Sequence, residues 1–252
     1  MGMGTCTTVV LDLDEVIVGV CESWRACLSD AVSLYKAIDL GDVSVDDIHG
    51  LRWRHAKVRG GELFAKLLIE EALSSGFEAT PNAAYAVDRP VARRFFDAAL
   101  HGSDLHSILT GNSLAEFSFL SGHMDNEQLT VSSSALTNWL RGKKAVLISF
   151  RSMSETLYTL VRFGLSGCFD MIVTDDALDR GARSHDVVRD YLGASERTVS
   201  YFTDVPAHVS VGVALGFRCV GIAHCGEEHA SALRESGAEA VLCELSEWTL
   251  PQ

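Results

Sequence analysis

The sequence predicts an α/β protein, a doubly wound parallel sheet with an α-helical domain inserted after its first strand. Three observations carry this reading. Thr8-Val9-Val10-Leu11 is a β-branched apolar run that stops at Asp12 and Asp14, as a strand buried on both faces does. From about residue 132 onward, short apolar runs alternate with helical patterns, which is how βαβ units read. Between the two, residues from about 18 to 130 are helical in pattern, lack strong strand signals and have the size of a small domain.

Bulk properties narrow the function classes. At 252 residues the chain can bury one large core or two modest ones, and 47% hydrophobic with 22% charged residues is ordinary for a globular protein. With 21 basic against 34 acidic residues the net charge is −13. Such a surface repels nucleic acid and anionic membranes, so neither is an expected partner. No apolar stretch approaches the ~20 residues of a membrane span. The seven cysteines include no C-x-x-C pair, and the start has no secretory-leader pattern. Reduced thiols and a cytoplasmic setting are therefore expected, with Cys6 and Cys219 as small core residues.

The inserted region opens with a helix over about 19–38, where Trp24, Cys27, Leu28, Ala31, Val32, Tyr35 and Ile38 recur at helical spacing. A second helix starts near Ser44, whose hydroxyl is followed by Asp46 and Asp47 in the first turn. Arg52, Arg54, His55, Lys57 and Arg59 then form the densest basic cluster, closed by Gly60 and Gly61. It reads either as a contact for a second anionic group of a ligand or as the solvated face of an amphipathic helix. Further helices are expected at about 62–75, 90–100 and 113–121. His49, His101, His106 and His123 lack metal-ligand spacing.

The later strands are expected at Lys144–Ser149, Met171–Asp176, Val199–Asp204, Arg218–His224 and Ala238–Cys243. Gly164, Gly193, Gly216 and Gly237 stand where C-cap glycines belong, and Pro206 where a first helical residue belongs. Ligands of open parallel sheets bind outside the carboxyl ends of the strands. Asp12, Asp14, Ser149, Asp175, Asp176 and Asp204 all lie at such ends. At strand spacing Asp12 and Asp14 share a face if the extension continues, and two close carboxylates suit a divalent cation with one carboxylate left to act as nucleophile.

Read in order, these segments resemble the haloacid dehalogenase-like hydrolase superfamily, in its phosphatase branch with an inserted helical cap, phosphoglycolate-phosphatase-like. The pieces are Asp12-Leu13-Asp14-Glu15-Val16-Ile17, Ser149 at a strand end, the Gly164-to-Asp170 passage and Tyr201-Phe202-Thr203-Asp204-Val205-Pro206-Ala207-His208. The resemblance covers about 5–18 and 132–250. It implies a Rossmann-like doubly wound parallel sheet core formed by 1–17 and 131–252, with an α-helical cap domain formed by 18–130. It further implies a phosphomonoesterase acting on a small phosphorylated metabolite. Asp12 would be the nucleophile and Asp14 the general acid and base. Asp12, Asp14 through its backbone carbonyl, and Asp204 would hold Mg²⁺. Ser149 would bind a phosphate oxygen, and the cap arginines Arg52, Arg54 and Arg59 would select substrate.

Three positions depart from the family pattern. Its lysine before the helix that starts near Ser184 is absent, which leaves Arg180 or Arg183 to supply a positive charge in a different geometry. His208 stands where a second aspartate is common, so it orients a ligand or simply begins a helix. Glu15 replaces the usual glycine and either adds a third carboxylate or turns to solvent. A catalytically weakened binding or regulatory protein, or a phosphomutase or phosphonatase-type member, is the alternative. A monomer or homodimer is expected.

Overall fold

The computed structural model describes residues 8–23, 123–174, 177, 183–193 and 199–249. The chain divides into two compact units, Met1–Val20 with Glu127–Gln252, and Cys21–Asn126. The helices expected over 19–121, the basic run Arg52–Arg59, and Asp175, Asp176 and Arg180 lie outside the described residues, apart from the first few positions up to Ser23.

The first unit holds a six-stranded sheet. Its strands are β1 (Thr8–Asp12), β4 (Lys144–Ile148), β5 (Met171–Val173), β6 (Val199–Thr203), β7 (Arg218–Ile222) and β8 (Ala240–Leu242). They lie in the order β5-β4-β1-β6-β7-β8 and every pairing is parallel. The chain runs outward from β1 through β4 to β5, then crosses back to β6 and runs the other way. The order therefore reverses beside β1, where a crevice opens at the carboxyl ends. A small antiparallel pair, β2 (Val18–Gly19) with β3 (Gln128–Leu129), follows the first strand. The Thr130 hydroxyl ties it back to the Val16 and Ile17 carbonyls.

Helices between the strands are α1 (Ser133–Leu140), α2 (Met153–Arg162), α3 (Ser184–Leu192), α4 (Pro206–Ala214), α5 (Gly226–Glu235) and the short α6 (Ser246–Thr249). Their ends obey local chemistry. The Ser152 hydroxyl accepts from Glu155 N while Glu155 accepts from Ser152 N, a reciprocal cap that fixes the start of α2. Pro206 opens α4. The four glycines expected to end helices all have φ between 67° and 101°, a region in which a Cβ is strained.

One face of the sheet packs Val10, Val146, Ile148 and Tyr201 against Val188 and Leu192 of α3, Val209 of α4 and Leu233 of α5. On the opposite face, Phe202 meets Trp139 of α1 at 5.5 Å and Trp248 of α6 at 5.6 Å, both edge-on. The alternation of Tyr201 and Phe202 across β6 is the period-2 pattern of a strand. Helix α4 sits close to its strands at Gly212, where a Cβ would lie 2.6 Å from Cys219 Sγ and 2.8 Å from Tyr201 Cδ1.

The strands are shorter than the sequence runs suggest: β6 ends at Thr203 and β7 at Ile222. The extension through Asp14 also stops early. After Asp12 the chain turns back on itself, with Ile17 N and Val18 N both donating to Leu13 O. Asp12 and Asp14 therefore belong to different local structures, and their carboxylates go to different partners.

Candidate active site

Register decides what surrounds Asp12. Val10 pairs with Tyr201 and Leu11 with Phe202, so Asp12 ends β1 beside Thr203. Tyr201 and Thr203 share the face of β6 that carries Asp12, and both hydroxyls reach its carboxylate. Tyr201 Oη donates to Oδ1 at 2.8 Å and Thr203 Oγ1 to Oδ2 at 2.6 Å. From the first turn of α4, His208 Nδ1 lies 3.1 Å from Oδ2. Burial alone would push the Asp12 carboxyl up. The hydrogen bond and charge of His208, then the Thr203 hydroxyl, overcome this and hold it below the usual carboxylate range.

Behind Tyr201 stands His185, in the first turn of α3, with Nε2 at 2.9 Å from the Tyr201 oxygen. Burial pushes the His185 imidazole down to about 4, so it is uncharged at neutral pH. Burial and the Asp12 charge together push the Tyr201 phenol well above its ordinary value. The rim is aromatic: Phe150 stacks on His208 at 4.7 Å, and His208 stands 5.3 Å from His185.

Asp14 has a different partner. The buried Arg151 guanidinium binds it through Nε at 2.8 Å and Nη2 at 2.7 Å, both on Oδ1. The same guanidinium reaches Glu127 through Nη2 at 3.0 Å and Nη1 at 3.2 Å, and Thr159 at 3.0 Å. Burial, with the Asp14 charge adding to it, raises the Glu127 carboxyl even though Arg151 opposes the shift. Arg151 itself is held protonated because the two carboxylates outweigh its desolvation.

Ser149 ends β4 as expected, and its proton is engaged. Thr156 Oγ1 donates to Ser152 O, so in the 2.8 Å pair with Thr156 it is Ser149 that donates. Arg151 N in turn donates to Ser149 Oγ. Asp204 is buried, and its carbonyl accepts from His229 Nε2 at 2.6 Å while His229 Nδ1 accepts from His224 N. Glu15 is buried, with φ 62°, and its Oε1 accepts from Val20 N at 2.6 Å. It braces the turn after β1 and does not face solvent. Arg183 is exposed at the N-cap of α3 and makes no side-chain cap bond.

Among the described residues, then, the fold brings Asp12, Tyr201, Thr203, His208 and His185 together, with Asp14, Arg151 and Glu127 as a second group. Sequence reasoning missed Tyr201, Thr203, His185, Arg151 and Glu127. A Tyr-x-Thr-Asp strand end, with two hydroxyls on one face, was the available signal for the first two.

The donor set can be tested against Mg²⁺, which takes oxygen ligands. Asp12, Asp14, Glu15, Glu127, Glu155 and Asp204 are buried carboxylates, and Arg151 is the one buried Arg or Lys among the described residues. This imbalance and the all-oxygen chemistry fit a divalent cation. A carboxylate offers about four acceptor positions. The bonds from Tyr201, Thr203 and His208 use three of those on Asp12, and the remaining one is on Oδ1. Among the described residues no group of three His, Cys, Asp or Glu side chains forms a cation site, so such an ion would also rely on a backbone carbonyl.

No family model matches the chain, and no curated protein matches it. Solved structures do. A haloacid dehalogenase-like protein of unknown function from Agrobacterium tumefaciens is 14% identical, with 96% of each chain covered and a TM-score of 0.63. A predicted phosphoglycolate phosphatase from Haemophilus somnus is 13% identical over 98% of each chain, with a TM-score of 0.62. A haloacid dehalogenase-family hydrolase from Deinococcus radiodurans, crystallised with bound phosphate and sodium, is 17% identical. It aligns over 96% of this chain and 93% of its own, with a TM-score of 0.61. The chain has the haloacid dehalogenase-like fold. Within that fold Asp12 occupies the end of the first strand at the switch point, flanked by β4 and β6. The expected fold class, a Rossmann-like parallel α/β sheet, is the one observed. Among the described residues no helix is long and apolar enough to cross a membrane.

Proposed function

We propose that this chain is a Mg²⁺-dependent phosphomonoesterase that hydrolyses a small phosphorylated metabolite. The observation that carries the reading is Asp12: a buried carboxylate, held ionised at the switch point by donors on both oxygens. Similar solved structures, one described as a predicted phosphoglycolate phosphatase and one holding bound phosphate, support it.

Asp12 attacks the phosphorus and the bond to the leaving oxygen breaks, giving an aspartyl-phosphate. Asp14 donates a proton to that oxygen. Arg151 holds the Asp14 carboxylate in place through Oδ1. Asp14 then takes a proton from water, which attacks phosphorus, frees Asp12 and releases inorganic phosphate. Asp12, the Asp14 carbonyl and Asp204 would hold the ion, which would offset the negative charge of the carboxylates and the phosphate. Ser149 contacts a phosphate oxygen after its proton leaves Thr156. The sequence run Arg52, Arg54 and Arg59 would meet a second anionic group of the substrate from an inserted cap, and Arg183 or Arg180 would supply a further positive charge for the phosphate.

The three donors on Asp12 support a second reading, a catalytically weakened protein with a binding or regulatory role. Attack and ion binding together need two acceptor positions, so one donor must withdraw before turnover. The test is phosphate release from a panel of small phosphomonoesters with and without Mg²⁺. Metal-dependent release that Asp12→Asn abolishes is expected. A folded protein whose melting temperature rises with Mg²⁺ but which releases no phosphate would favour the second reading.

A further inference from the structure

We propose that His185 and Tyr201 form a hydrogen-bonded relay that positions Asp12, in the role the resemblance assigns to a lysine. This rests on the reading of Asp12 as nucleophile. Neither Arg180 nor Arg183 is then required beneath it.

Proton directions make the relay one-way. An ionised carboxylate only accepts, so the 2.8 Å contact is Tyr201 O–H donating to Asp12 Oδ1. With its proton spent there, the Tyr201 oxygen must accept in the 2.9 Å contact, so His185 carries its proton on Nε2. Its Nδ1 is then an acceptor, and the Ser184 hydroxyl stands 3.4 Å from it. Burial keeps the imidazole neutral, which leaves Nδ1 without a proton of its own. Every donor points toward Asp12, and each bond polarises the next. The edge-on packing of His185 on Tyr201, with ring centroids 5.2 Å apart, holds both rings in place.

A chemical difference follows. An ammonium beside Asp12 would cancel its charge and attract the phosphate, whereas the relay orients the carboxylate and leaves the charge intact. Attraction of the phosphate would then fall to positive groups outside the relay.

The experiment uses the full chain, Mg²⁺ and p-nitrophenyl phosphate, with kcat and KM read separately. A hydrogen bond to a charged group is worth roughly one to two factors of ten. Tyr201→Phe and His185→Leu should therefore each lower kcat about 10- to 100-fold with KM within about twofold. The double variant should be no slower than the worse single one, because the two groups act in series. His185→Gln, whose amide nitrogen can take the Nε2 place, should regain about tenfold over His185→Leu. Independently of activity, ¹⁵N-histidine spectra should show His185 as the Nε2–H tautomer, with a shift change in Tyr201→Phe. Unchanged kcat in both single variants, multiplicative losses in the double one, or an Nδ1–H tautomer would each overturn the relay. If the wild type itself releases no phosphate, the functional reading fails while the spectra still decide the hydrogen-bond chain.

Discussion

Replacing Arg151 with methionine is the sharpest available perturbation of this architecture. The guanidinium is 0% exposed and spans Asp14 and Glu127, whose side chains are 7% and 1% exposed. Solvent therefore does little to screen the three charges. Removing one member of a buried ion pair strands its partner, at a cost of about 3–5 kcal/mol. With a urea m-value of about 2–3 kcal/mol/M, that lowers the midpoint by ~1–2 M. The loss should depend on pH. Burial already raises Glu127 in the folded state, and without Arg151 it rises further. A carboxyl with a raised folded pKa costs stability above that value, and the cost disappears as pH falls through it. The deficit of Arg151→Met should thus shrink between pH 7 and pH 5, and adding Glu127→Leu should recover part of it. Urea melts followed by tryptophan fluorescence at both pH values provide the assay. A midpoint shift below ~0.4 M, or a deficit identical at both pH values, would refute the claim that Arg151 balances two buried carboxylates.

Two further outcomes can be checked by melting curves. Glu15 combines a left-handed backbone with a hydrogen bond to Val20 N, so Glu15→Ala keeps the strain and loses the bond, whereas Glu15→Gly loses both. Glu15→Gly should be more stable than Glu15→Ala by about 1 kcal/mol, and equal stabilities would show that the turn is unstrained. Asp12 has a folded pKa lowered from its ordinary 3.8, so its contribution is fully present above that value and is lost as pH falls through the lower folded one. Wild type and Asp12→Asn should converge in melting temperature below pH 3.8, and a constant gap there would contradict the hydrogen-bonding scheme.

What could be read from the sequence was local. Gly164, Gly193, Gly216 and Gly237 announce helix ends because a left-handed residue excludes Cβ, and Pro206 announces a beginning because its fixed φ suits a first turn. Alternation of runs was enough for the parallel sheet, and acids at strand ends for the crevice. The partners of those acids were not legible. Tyr201 lies 189 residues from Asp12, and Arg151 lies 137 from Asp14. Such contacts depend on strand order and register, which no local window contains. In the sequence the missing positive charge points to Arg180 or Arg183. The buried position behind Asp12 instead carries a neutral ring at His185, two residues past the exposed Arg183.

Gly212 gives this arrangement an unexpected point of control. It sits four residues after His208, hence on the same side of α4, where the helix backbone nearly touches the Tyr201 ring. One methyl group there would lift the helix from the strand, tilt the phenol and draw the imidazole back in a single movement. Two of the three donors that hold Asp12 would loosen at once, although nothing at the carboxylate had been altered. The geometry of the crevice is thus written partly in a hydrogen atom beneath the sheet's covering helix, and variation at that position would tune the carboxylate without entering the crevice.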